Sequence, residues 1–135
     1  MIRLVIDTNV FVSSFFGGIP RKIVDLWKNG KITLCLSKPM VEEYVEVLRR
    51  LGLQDDIELK ELVGLFAQGR GVLFSATTPR LKIVDKNPDD NKFIECAVAL
   101  NATDVVSGDK VLLGVGAYMG ISIVTPRQFI DTFTQ

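Results

Sequence analysis

Short apolar runs alternate with amphipathic stretches along the chain, and the alternation predicts strands followed by helices. Ile2–Ile6 is apolar apart from Arg3, as in a strand buried on both faces. Ile19–Asn29 reads as a helix, with Pro20 near its start and Gly30 just past its end. Lys31–Leu36 is the second strand, and Ser37 caps a helix running to about Arg50 before Gly52. Asp55–Gln68 forms a further helix, closed by Gly69 and Gly71. Gly71–Ala76 is a third strand, and the loop 77–87 carries a short strand at Leu81–Val84. Asp89 or Asp90 then caps a helix through Leu100. Asp104–Ser107 is a strand, Asp109–Tyr118 a helix and Ile121–Val124 a last strand. Thr125 and Gln128 have the spacing of a capping box around Pro126.

Strand and helix in turn imply an α/β fold: a three-layer sandwich with a mainly parallel central sheet. No linker, repeat or low-complexity stretch divides it, so residues 1–135 read as a single domain. In such sheets ligands bind outside the carboxyl ends of the strands. Asp7 directly follows the first strand, and Asp109 follows the strand 104–107 after one glycine. Each is also suited to cap a helix. Asp90 stands out more. At about 100° per residue it falls amid Phe93, Ile94 and Ala97, the apolar side of its helix. A carboxylate there is costly unless it is paired, hydrogen-bonded or metal-bound. In the helix after Ser37, Glu43 lies beside the apolar edge at Val47, whereas Glu42 and Glu46 point further out.

Composition narrows the chemistry. The chain has no His, which removes His-based triads, proton shuttles and zinc sites. Cys35 and Cys96 sit in apolar patterns and read as buried core thiols. The 16 basic and 16 acidic side chains balance, so a uniformly basic nucleic-acid coat is excluded but a local basic patch is not. The start reads as a strand and not as a leader, and no apolar stretch reaches a membrane span. A reduced, cytoplasmic setting and no membrane partner are expected. Four carboxylates, Asp7, Glu43, Asp90 and Asp109, converging at strand ends would repel one another. Hard divalent cations, Mg²⁺ or Mn²⁺, resolve such repulsion and suit phosphoryl-oxygen chemistry.

Four blocks occur in order: VIDTNVFVSS at 5–14, SKPMVEEYVEVL at 37–48, NPDDNKFIECAVAL at 87–100 and VVSGDKVLL at 105–113. Together they resemble the PIN-domain ribonucleases, in particular the small toxin-like (VapC-like) kind. The resemblance covers nearly the whole chain. It implies an acidic quartet that binds Mg²⁺ or Mn²⁺ and cleaves single-stranded RNA to 5′-phosphate and 3′-hydroxyl ends. The catalytic and metal-binding positions carried over are Asp7, Glu43, Asp90 and Asp109, with Asn9 and Ser107 as supporting polar residues. It also implies a homodimer or higher homo-oligomer and a small antitoxin partner.

Arg21 and Lys22, after the flexible pair Gly17-Gly18, are candidate RNA-backbone contacts. Lys92 and Lys110 each lie within two residues of a proposed ligand and are further candidates. Phe11, Phe15, Phe16 and Trp27 follow helical apolar spacing and read as core or oligomer contacts. A phosphorylated receiver fits poorly, because one Asp follows the first strand and no Lys follows Val124. An Asp-x-Asp phosphatase fails at Asn9. A PIN-like RNA-binding or protein-interaction module with little activity is the remaining alternative.

Overall fold

Six strands share one sheet in the computed structural model, which describes residues 1–134. In chain order they are β1 (Arg3–Ile6), β2 (Thr33–Ser37), β3 (Val72–Ser75), β4 (Asp104–Val106), β5 (Ala117–Tyr118) and β6 (Ile121–Val124). The helices are α1 (Thr8–Ser13), α2 (Gly18–Lys28), α3 (Lys38–Arg50), α4 (Ile57–Ala67), α5 (Asn91–Ala99), α6 (Lys110–Val115) and α7 (Pro126–Phe133). The strands lie in the order β3-β2-β1-β4-β6-β5. Every neighbouring pair is parallel except β5–β6. This is the expected α/β architecture, a mainly parallel sheet flanked by helices.

The order reverses at β1. From β1 the chain goes to β2 and β3 on one side, then returns to β4 on the other. The connections leaving β1 and β4 therefore diverge, which opens a crevice at their carboxyl ends. Leu4, Val5 and Ile6 pair with Asp104, Val105 and Val106, so Asp7 and Ser107 emerge side by side. The Asp7 N–H extends the ladder by donating to the Val106 carbonyl at 3.0 Å.

The crevice rests on a dry core. Leu4, Val5, Val105 and Val106 are fully buried, as are Ile94 and Ala97 of α5, which packs across β1, β2 and β4. Tyr44 of α3 stacks on Phe11 of α1 with centroids 4.2 Å apart and rings 7° from parallel. Its hydroxyl donates to the Ile6 carbonyl, so α3 is tied to the last residue of β1. Phe11 and Trp27 are core residues, whereas Phe16 is 73% exposed. Cys35 and Cys96 are buried free thiols, and burial pushes them up to about 11 and about 12.

Three local expectations fail. Leu81–Val84 is not a strand, because its backbone donors are taken by side chains of α5. The Asn91 carboxamide oxygen accepts from Ile83 and Val84, and Glu95 accepts from Leu81. The helix expected to reach Tyr118 stops at Val115, where Gly116 turns the chain at φ +75° into β5. Asp90 stands at the N-cap position of α5, but neither it nor Asp89 makes a side-chain capping bond: both lie in a 3-10 turn, Pro88–Asp90. By contrast Ser37 caps α3, and Thr125 and Gln128 close the capping box of α7.

Candidate active site

Asp7, Glu43, Asp90 and Asp109 line one cleft of about 300 Å³ at the β1/β4 crevice. Four separate segments deliver them: the turn after β1, helix α3, the turn before α5 and the turn after β4.

Asp7 is 3% exposed. One carboxylate oxygen caps α1 by accepting from the Val10 N–H at 2.9 Å. The other accepts from the Ser107 hydroxyl. Ser107 in turn accepts from the Asp109 N–H at 2.9 Å, so one buried hydroxyl spans both acidic turns. Burial raises the Asp7 carboxyl above its ordinary value against the lowering effect of these bonds, and Asp109 adds to the rise. Asp109 caps α6 through Val111 N–H at 2.7 Å. For both residues, capping and facing the cleft coexist: the cap fixes the carboxylate where it lines the cleft.

Asp90 has no such anchor. Its Oδ2 is buried without a hydrogen-bond partner. Burial, then the Asp109 carboxyl alongside, then Glu43 and Asp7 raise it to about 6. Glu43 is held differently. One oxygen accepts from the Thr8 hydroxyl and the other pairs with the Lys92 ammonium. Lys92 also reaches Asp89 at 3.1 Å. Burial works against its charge, but the two acids outweigh that and raise its pKa.

Among the described residues, no three acidic or cysteine side chains close around a common point as metal ligands. The donor set nevertheless fits a hard cation. It is oxygen only, one buried oxygen lacks a partner, and the neighbouring Asp109 carboxyl makes ionising Asp90 costly, a cost that a cation between them would offset.

The remaining candidates separate. Asn9 is exposed and lines the cleft. Lys92 contacts Glu43, as above. Arg21 donates from Nε and Nη2 of its guanidinium to the Ser14 and Phe15 carbonyls, and neither it nor Lys22 lines the cleft. Lys110 is exposed and also lies outside the lining. Glu46, read from the sequence as pointing further out, lines the cleft, and Arg50 beside it escaped the sequence reading. Their signal was present, since 43, 46 and 50 fall on one face of α3 at helical spacing.

A parallel α/β sheet whose switch point carries an oxygen-only acidic cleft suits phosphoryl-oxygen chemistry. Residues 3–111 match the PIN domain family, and the chain belongs to it. All four acids lie inside the matched span. An uncharacterized protein of Methanocaldococcus jannaschii is similar, 30% identical over 146 aligned positions that span 98% of this chain and 92% of that protein. PIN domains are generally nucleases, often ribonucleases, and typically use divalent metals. No helix among the described residues is long and apolar enough to cross a membrane.

Proposed function

We propose that the protein is a divalent-metal-dependent endoribonuclease that hydrolyses phosphodiester bonds in single-stranded RNA. The observation that carries this reading is the meeting of four carboxylates in one cleft, with a buried Asp90 oxygen that no donor satisfies. Asp7, Asp90 and Asp109, with Glu43 at the rim, would hold Mg²⁺ or Mn²⁺. A bound ion would neutralise the acids, lower the pKa of a water molecule and stabilise charge on the phosphoryl oxygens.

The chain's own groups do the rest. The buried Ser107 hydroxyl fixes Asp7 and the Asp109 turn relative to each other. The Val10 and Val111 N–H groups orient the two carboxylates. Lys92 balances Glu43, and Arg50 offers a cation to the RNA backbone at the α3 wall. Hydrolysis forms a bond from water oxygen to phosphorus and breaks the bond to the 3′ oxygen, which leaves with a proton. The products are 5′-phosphate and 3′-hydroxyl ends.

The test is cleavage of a mixed single-stranded RNA pool with Mg²⁺ or Mn²⁺, with EDTA, and with Asp7→Asn. Cleavage that EDTA and Asp7→Asn both abolish supports the reading, and cleavage surviving either one overturns it. An RNA-binding module without useful activity draws on one observation, the Lys92 ammonium seated on Glu43. Binding without cleavage in the same assay would favour it. The proposal extends to a toxin paired with a small antitoxin, in a self-associating chain. Family resemblance supports that role, together with the apolar Ile57 and Val63 that α4 exposes. Growth arrest on expression of the wild type but not of Asp7→Asn checks it.

A further inference from the structure

A second groove of about 330 Å³ opens from the acidic cleft on the side away from α3. The two share Asn9 and Asp109. Its walls are Val10 and Ser13 of α1, Pro20 of α2, Pro126 of α7 and the backbone of Gly108. Helices α2 and α7 pack together, which sets Pro20 and Pro126 near one another at their first turns. Arg21 clamps the Ser14 and Phe15 carbonyls and so fixes the turn between Ser13 and Pro20. The groove is therefore preformed.

We propose that this groove holds one nucleobase of single-stranded RNA, that of the nucleotide next to the phosphate seated at Asp109. The inference rests on the nuclease reading for what occupies the neighbouring cleft. Among its lining residues the groove has no basic side chain, so nothing in it would neutralise a second phosphate. Its apolar faces suit a flat heterocycle, and its size, about 330 Å³, is that of a small-ligand pocket. Asn9 and Ser13 offer donors and acceptors to a base edge that accept several bases, so the site favours a base over no base more than one base over another. A side chain at Gly108 would project into open space: an added Cβ meets no atom within 4 Å, and the backbone is not left-handed there. Gly108→Leu thus adds an apolar side chain at the groove wall without strain.

The test compares a short oligouridylate with an abasic ribose-phosphate oligomer of the same length. Wild type should cleave the oligouridylate about tenfold better in kcat/KM. Gly108→Leu and, from the facing wall, Ser13→Trp should lose that preference while keeping the wild-type Tm. Binding is read separately in an Asp90→Asn background with Mg²⁺, through the backbone amide shifts of Ser13 and Gly108. Shifts at both amides with oligouridylate, absent with the abasic oligomer, support the base site even if no RNA is ever cleaved, in which case only the nuclease reading falls. If these amides stay still, or both folded variants keep the preference, the groove does not hold a base.

Discussion

The two halves of the acidic cleft are built on different principles. Asp7 and Asp109 stand at the ends of adjacent parallel strands, each capping a helix, with one serine hydroxyl between them. Their positions follow from backbone geometry, and no ion is needed to hold them. Glu43 and Asp90 come from a helix face and a 3-10 turn. Glu43 is held by a lysine and a threonine, and one Asp90 oxygen by nothing. That half depends on a balance of charges, which a cation changes. The contrast assigns geometry to the strand-end half and ion dependence to the other.

Loss of the strand-end half should have the largest effect. Asp7→Asn keeps the Val10 cap acceptor but removes the charge, and RNA cleavage should fall more than about a hundredfold. Ser107→Ala leaves all four acids in place, so its effect isolates orientation. A drop of about 10- to 100-fold in kcat/KM, the usual range for a group that orients a metal ligand, is expected. A Ser107→Ala enzyme with wild-type kinetics would mean that the two acidic turns do not need their bridge.

Lys92→Met probes the other half with a smaller expected effect. Lys92 pairs with Glu43 and would compete with a cation bound there. Its removal should tighten Mg²⁺ or Mn²⁺ binding about tenfold by calorimetry, equivalent to about 1.4 kcal/mol. It should also lower the melting temperature in EDTA, because Glu43 loses its counter-charge. Unchanged metal affinity would show that Lys92 and the ion do not meet on Glu43.

The same division governs what was legible in the sequence. The parallel strands were legible because such strands are largely apolar runs, unlike the short antiparallel β5, and Asp7 and Asp109 because strand ends mark their sites. Ser37 and Thr125 declared their helices through local hydrogen bonds that spacing encodes. The hidden parts depend on partners distant in the chain or on a local turn. Leu81–Val84 has the apolar character of a strand, but Asn91 and Glu95 supply its hydrogen bonds in place of a neighbouring strand. Arg21 looks like a free cation and is a clamp on two carbonyls. The Lys92–Glu43 pair spans 49 residues, which no local pattern reports.

The smallest effect, on stability, tests Asp90 most directly. Its folded pKa is raised from 3.8 to about 6. A carboxyl raised in this way binds its proton more tightly in the folded state than in the unfolded one. Its favourable contribution is complete below about pH 3.8 and is lost as pH climbs through about 6. In EDTA at pH 7.5 the ionised group is then a burden, and Asp90→Asn should stabilise the protein. With partial exposure taken into account, the gain is about 1 kcal/mol, or about 4 °C in Tm. At pH 4 wild type carries the proton itself and the advantage should vanish. Saturating Mg²⁺ at pH 7.5 should reverse the order, because wild type then gains binding energy that Asp90→Asn has partly lost. If the variant is instead the less stable protein in EDTA at pH 7.5, the ionised Asp90 is satisfied within the fold, and the cleft has no need of a cation at that position.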